Sequence, residues 1–322
     1  MNFSSQQIEA MKKTGYIYFE QGKAFADYKP KFPQIFEVVQ SNAQYEKGTS
    51  WLGVGVLVEV PEGADPPQET IAEGWTTMGK NRTFKKELTF TKENIDDNQK
   101  VENMLKTAAK KWGQKWPETQ DDLAVKVFNH GSLAAGHKSF NNTVPGESDS
   151  SGNLIYDGYP LFNLGTNLRS SKGGGTYYNH IGALGLSGPN LITALNLGED
   201  TNAYDDKDGI VEIEFDTLLV PKSLRFTARV ILESTLIPDS GNNNRNVLEA
   251  IVDLITWRKL SDADGWFVGK KKKGLIFQER MDADIEFYQS KKSRNWAANI
   301  MARAGTRQDN WNFWVASNTS TT

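Results

Sequence analysis

Asp157-Gly-Tyr-Pro-Leu-Phe162, Ser187-Gly-Pro-Asn-Leu-Ile-Thr-Ala-Leu195 and Leu218-Leu-Val-Pro-Lys-Ser-Leu-Arg-Phe-Thr-Ala-Arg-Val-Ile-Leu-Glu-Ser234 stand in this order along the chain, and their reading decides the fold. The first is a turn into a short strand spanning 154–162. The second is a helix, with Ser187 as its cap and Pro189 in its first turn. The third begins as a strand, 210–220, that stops at Pro221. A helix follows with Leu224, Ala228 and Leu232 on one face. None of the three carries catalytic chemistry.

Upstream, residues 95–130 are the main helical candidate. Asp96 and Asp97 cap and charge its start, and Val101, Met104, Leu105, Ala108 and Trp112 form an apolar stripe. Pro117 is expected to kink or break it before Leu123, Ala124, Val127 and Phe128 resume the stripe. The opposite face, with Lys106, Lys110, Lys111 and Lys115, reads as solvated. Valines at 54, 56, 58 and 60 predict a strand over 52–60, and Phe84, Leu88 and Phe90 share one face of another at 82–91. The Pro- and Gly-rich stretch Gly63–Asn81 between them has too few apolar residues for a core, so the pair reads as an extended hairpin received by a neighbouring subunit. Residues 1–45 read as short helical patches in a polar arm anchored by Phe32, Ile35, Phe36, Val38 and Val39.

Downstream, residues 131–153 and Ser170–Gly175 read as loops, and Val247–Leu254 is ambiguous. Trp266–Val268 and Leu275–Phe277 are strand stubs, 283–289 and 295–303 are the final strands, and Trp311–Val315 is an extended aromatic tail. Strands and helices mix without βαβ alternation, so the class is α+β.

Composition narrows the chemistry. The 322 residues carry a net charge of −3, so no global basic field recruits nucleic acid. With no cysteine, disulfides, thiolate catalysis and Cys-ligated metals are excluded, which fits synthesis in a reducing cytoplasm. No apolar stretch approaches the ~20 residues of a membrane span, and Met1-Asn-Phe-Ser-Ser5 lacks the order of a signal peptide. His130, His137 and His180 have no metal-ligand spacing, and His180 reads as a loop histidine. Asp205-Asp-Lys-Asp-Gly209 fails as a calcium loop, because aligning Gly209 puts Tyr204 and Phe215 at ligand positions; it reads as a turn. Gly173-Gly-Gly175 lacks the Lys-Ser/Thr of a phosphate loop. No catalytic residue, cofactor site or metal site is assigned. Lys270-Lys-Lys-Lys273, between Gly269 and Gly274, reads as a mobile basic tip facing solvent, an axial opening or DNA.

Asp157–Phe162 and Leu218–Ser234, in order with a loop that begins Trp51-Leu-Gly53, the 95–130 helix and the closing strands, resemble the major capsid proteins of tailed bacteriophages. These share the Hong Kong 97-type fold, and the nearest pattern is that of the Mu-like major head subunits. The resemblance covers 46–92, 95–130, 157–162, 218–234 and 281–315 as order and pattern. It departs after Phe162, where Asn163 and a glycine-rich loop stand and the nearest Asn-His pair is Asn179-His180. An N-terminal scaffolding region is not evident, which implies a separate scaffold or a mature product.

The resemblance implies an N-terminal arm (1–45), an extended loop (46–92), a peripheral domain with a spine helix (93–159), an axial domain (160–277) and closing peripheral strands (278–322). It implies a non-enzymatic subunit that forms pentamers and hexamers of an icosahedral shell around double-stranded DNA, made in the host bacterial cytoplasm and located in the virion. Its partners would be itself, a portal, scaffold or cement proteins where assembly needs them, and DNA by non-specific contact, with no membrane. Trp51, Trp75, Phe84, Phe90, Trp311 and Trp314 are the candidates for intersubunit contact, and Lys270, Lys271, Lys272 and Lys273 for a DNA- or axis-facing loop. Two other readings stay open: an encapsulin-like nanocompartment shell, and a carbohydrate-active or carbohydrate-binding β-rich protein.

Overall fold

The computed structural model describes residues 5–52, 57, 59–66, 68, 72–91, 101–132, 159–166, 168–171, 173–205, 207–236, 245–289 and 295–319. The Asp157-Gly158 turn, Gly53 and the helix start at Asp96 and Asp97 lie outside these residues.

The chain builds α1 (Ser5–Ala24), a single turn α2 (Phe32–Ile35), α3 (Val101–Asn129), α4 (Gly188–Asn196) and α5 (Arg225–Glu233). The strands are β1 (Glu37–Gln40), β2 (Tyr45–Leu52), β3 (Ala72–Lys80), β4 (Arg82–Phe90), β5 (Arg169–Ser170), β6 (Thr176–Tyr177), β7 (Thr217–Val220), β8 (Asp253–Thr256), β9 (Trp266–Gly269), β10 (Leu275–Gln289), β11 (Trp296–Gln308) and β12 (Trp314–Ser317). One four-stranded sheet runs β1-β10-β11-β4 and another β12-β9-β7-β8; β2-β3 and β5-β6 are two-stranded ribbons.

The first sheet is centred on the long β10–β11 antiparallel pair, with Phe277 opposite Thr306 and Phe287 opposite Ala298. The ladder shifts register between Glu279 and Met281 and again between Met281 and Asp284, which marks a bulge. The two apolar runs expected at 275–277 and 283–289 are therefore one strand. α3 lies against this sheet and buries Ala109, Trp116, Leu123, Ala124, Val127 and Phe128. The Phe84 ring meets Trp116 edge-on at 6.2 Å. Met104, counted in the stripe, is 53% exposed. The helix runs through Pro117 without a break in assignment. The carbonyl that this proline leaves without a donor is that of Gly113, at the crossing described next.

α1 is one 20-residue helix where short patches were expected, and it packs along α3 of the same chain. The contact is backbone to backbone. A Cβ on Gly22 would lie 2.2 Å from the Lys110 carbonyl oxygen, and one on Gly113 would lie 2.2 Å from that of Phe19. Of the anchor residues, Phe32, Ile35 and Phe36 are buried, whereas Val38 and Val39 are exposed on β1.

The second sheet divides two cores. Leu219, Phe267, Trp314 and Ala316 pack into the cluster that contains α3. Leu218, Val220, Trp266, Val268 and Val315 pack into a second cluster with α4 and α5. Burial on both faces is why Leu218-Leu-Val220 is a continuous apolar run rather than an alternating one. The expected strand 210–220 is confined to Thr217–Val220, and the expected helix begins at Arg225, after a turn. Ser187 caps α4 by accepting from the Asn190 amide at 3.4 Å.

Two strand assignments change. The hairpin partner of β2 is β3, with Leu52 opposite Ala72, while β4 joins the first sheet through β11. Leu57, Glu59 and Val60, expected in a strand, are not in one. The sequences Tyr45–Leu52 and Ala72–Lys80 carry no regular apolar alternation, so the ribbon is not legible in them. β12, read as part of the closing strand pair, instead pairs with β9 in the second sheet.

Candidate assembly surfaces

The β2–β3 ribbon is fastened at its root. Asp309 accepts from Thr77 Oγ1 at 2.7 Å and takes the Arg307 guanidinium at 2.5 and 2.8 Å. Glu46 Oε1 accepts from Ser41 Oγ at 2.7 Å and from the Asn42 and Ala43 amides at 3.1 Å each. The Ser41 hydroxyl and these amides hold the Glu46 carboxyl below its ordinary value. At the other end, residues 57, 59–66 and 68 are all exposed, and Leu57 is 98% exposed. A root fastened by hydrogen bonds and carrying an exposed tip is the geometry of a reaching element.

The aromatic candidates separate. Trp314 has no exposed surface and Trp311 is 7% exposed, so neither has a face to offer a neighbour. Trp314 meets Phe128 at 5.2 Å, and Trp311 lies under the Arg169 guanidinium at 4.7 Å. Phe84 is held against Trp116 inside the subunit. Trp311 and Trp314 are thereby corrected from intersubunit contacts to internal packing, while Phe84 is half-buried and keeps an open face. The side chains of Trp51, Trp75 and Phe90 lie outside the described residues.

Asn179, fully buried, ties the Leu161–Asn163 segment to the turn that leads into β12. Its Nδ2 donates to the carbonyls of Leu161, Trp311 and Trp314 at 2.9, 3.1 and 2.9 Å, and its Oδ1 accepts from the Asn163 amide at 2.9 Å. The Asn-His pair that stands far from Leu161-Phe162 in sequence therefore meets it in space. Arg169 adds donation from Nη2 to the Pro160 and Leu161 carbonyls. His180 is buried rather than a loose loop residue. Its Nδ1 accepts from the Gly182 amide at 3.0 Å, which leaves Nε2–H to donate to Thr319 Oγ1 at 2.7 Å.

Burial pushes the His180 pKa down to about 4. The folded value lies below the unfolded one, so its contribution to stability is present above the ordinary value of 6.5 and is lost as pH falls from there toward about 4. Between pH 6.5 and pH 5 we expect a loss of roughly 2 kcal/mol from this residue. A His180→Gln variant should melt with a shallower pH dependence over that window, and parallel melting curves for the two proteins would contradict the assignment.

No family model matches the chain, and no curated protein matches it. Solved structures do. The mature capsid of bacteriophage PhiM1 is similar over 92% of this chain and 88% of that one, at 11% identity and a TM-score of 0.53. The capsid of cyanophage P-SCSP1u aligns over 91% and 89%, at 10% identity and 0.52. That of Myoviridae phage XM1 aligns over 88% and 90%, at 13% identity and 0.50. This chain has the Hong Kong 97-type fold of phage capsid subunits.

Within this capsid-type fold, Lys270–Lys273 is not the mobile tip the sequence suggested. Lys271 donates its amide to Asp216 Oδ1 at 2.9 Å and its ammonium to Asp253, and Lys270 Nζ stands 3.7 Å from Asp216 Oδ2. The Lys272 amide donates to the Ile35 carbonyl at 2.7 Å, so the turn is pinned between the sheets. The matching carboxylates come from distant segments, which a local reading does not see. The glycine-rich loop is likewise tied down, with Asp208 accepting from the Gly175 amide at 2.9 Å and from Tyr177 Oη at 2.8 Å. Among the described residues no cluster of acidic or histidine side chains is arranged to hold a metal, and no helix is long and apolar enough to cross a membrane.

Sequence reasoning also missed Asp121. Fully buried on α3, its Oδ1 accepts from the Lys31 and Phe32 amides at 2.8 and 2.9 Å. Its Oδ2 accepts from Tyr28 Oη at 2.5 Å and Trp257 Nε1 at 2.8 Å. Burial and this carboxylate together push the Tyr28 phenol well up. One signal was available, an acidic residue among the apolar positions of a helix, but its donors are not local.

Proposed function

We propose that this chain is a major head subunit that assembles into pentamers and hexamers, and through them into a closed icosahedral shell around double-stranded DNA. The observation that carries the reading is a capsid-type fold matched along about nine-tenths of the chain. The exposed hairpin tip on its fastened root supports it, because a tip whose Leu57 and Val60 cover nothing in their own subunit has a use on an adjacent one. In this reading α3 is the spine helix, β2–β3 is the extended loop, and the second sheet with α4 and α5 is the axial domain, now including β12. The role is architectural. The protein is made in the bacterial cytoplasm and ends in the virion beside a portal, with scaffold or cement proteins where assembly needs them. Purified protein viewed by negative-stain electron microscopy should show closed particles or five- and six-membered rings. A chain that stays monomeric at every salt and protein concentration would overturn the proposal.

A further inference from the structure

The second sheet has two outer edges, β8 and β12, and the surfaces beside them are opposite in charge. α5 packs on β8. It buries Ala228, Ile231 and Leu232 and leaves Phe226 72% and Val230 51% exposed. Arg225 and Arg229 stand beside these apolar side chains. With Lys31, Lys222 and Arg258 they line an open cleft of about 600 Å³ in which Glu233 is the one carboxylate. The Arg229–Glu233 contact at 3.4 Å is between largely exposed groups, so it neutralises little.

At the other edge, α4 packs on β12 and β9, and the π-helical turn Leu197–Thr201 also meets β12. The extended segment leading into β7 is tied to that corner. The Val211 amide donates to the Ala203 carbonyl at 2.8 Å, and the Phe215 amide to Glu199 at 2.7 Å. Along it Ile213 and Phe215 are buried, Glu212 and Glu214 are exposed, and Ile210 is 85% exposed. No lysine or arginine occurs from Asp208 to Val220.

One edge is thus apolar and basic, and the other is apolar and acidic. Two like edges brought together would repel, whereas unlike edges attract, so the pattern admits a head-to-tail contact and rejects a face-to-face one. A head-to-tail contact repeated between identical subunits closes into a ring when the rotation per step allows it. Phosphate would satisfy the arginines but not Phe226 and Val230, and aromatic and arginine side chains together are the composition of a protein interface.

We infer that the Arg225–Phe226–Arg229–Val230 face of α5 receives the Ile210–Glu212–Glu214 edge of a second copy of this chain, and that this pairing sets the direction of the ring. The inference rests on the shell-building role proposed above and assigns the two surfaces that meet.

A charge swap in the full chain tests it. Glu212→Lys/Glu214→Lys and Arg225→Glu/Arg229→Glu should each weaken ring formation about tenfold or more at low salt, read by light scattering and native mass spectrometry. The quadruple variant should recover most of the loss. Glu212, Glu214 and Arg229 are exposed and Arg225 is half-buried beside the open cleft, so melting temperatures should stay close to that of the parent. If a reversed variant fails to fold, the neutral glutamine versions should still weaken association about threefold. Reversed variants that associate as the parent does would overturn the inference while leaving the shell role intact. A quadruple variant that does not recover would show that the two edges do not meet each other. An Arg225→Glu/Arg229→Glu protein that assembles normally but retains less duplex DNA would make the cleft a phosphate site and refute the pairing. A parent chain that never associates would instead remove the shell role itself.

Discussion

Asp121→Ala should destabilise the subunit by about 4 kcal/mol, the largest single-residue effect we expect. The carboxylate accepts from four donors, the Lys31 and Phe32 amides, Tyr28 Oη and Trp257 Nε1. Each buried donor left without an acceptor costs roughly 1–3 kcal/mol, and partial repacking reduces the sum. Against a typical stability of about 5–15 kcal/mol this is a large fraction, and at this chain length it corresponds to a fall in melting temperature of about 6 °C. Asp121→Asn should be milder. Its amide oxygen can keep the two backbone donors, but its NH2 group would face the Trp257 N–H. Tyr28→Phe removes one donor and leaves the carboxylate three, so it should cost about 1 kcal/mol. Thermal melts rank the three, and an Asp121→Ala protein that melts with the parent would disprove the role of this node.

Excising the hairpin tip should abolish shells and leave the subunit folded. Leu52 and Ala72 are paired across the ribbon, so replacing residues 53–71 by a two-residue Asn-Gly turn closes the hairpin in register. The root contacts to Asp309, Ser41 and Asn81 are untouched. The exposed residues removed contribute little to the monomer's core. We expect an unchanged melting temperature and no closed particles by electron microscopy. Normal shells from the shortened chain would refute the proposed use of the tip.

What the sequence revealed and what it hid follow from distance along the chain. The cap at Ser187, the stripe on α3 and the stop at Pro221 are local patterns, and each was legible because propensity and periodicity act over a few residues. The β2–β3 pairing was misplaced because neither strand's sequence alternates apolar and polar residues, and the buried Thr77 and Gly79 give no apolar signal. The internal roles of Trp311 and Trp314 were hidden for a different reason. An aromatic residue in a terminal tail looks the same whether its pocket lies in its own subunit or the next, and only the fold supplies Phe128 and Arg169. Asp121, Asn179 and the carboxylates facing Lys271 draw their partners from segments tens to well over a hundred residues away, where spacing carries no signal.

The strand order has a consequence for synthesis. β1 pairs with β10, β4 with β11, and β7 with β9, which in turn pairs with β12. Before residue 266 leaves the ribosome, the only named strand pairs the chain can form are β2–β3, β5–β6 and β7–β8. Translation proceeds at roughly 5–20 residues per second, so the nascent polypeptide spends most of its manufacture without either completed sheet. Folding is in effect deferred until termination. A fragment released before residue 266 therefore carries neither four-stranded sheet in complete form.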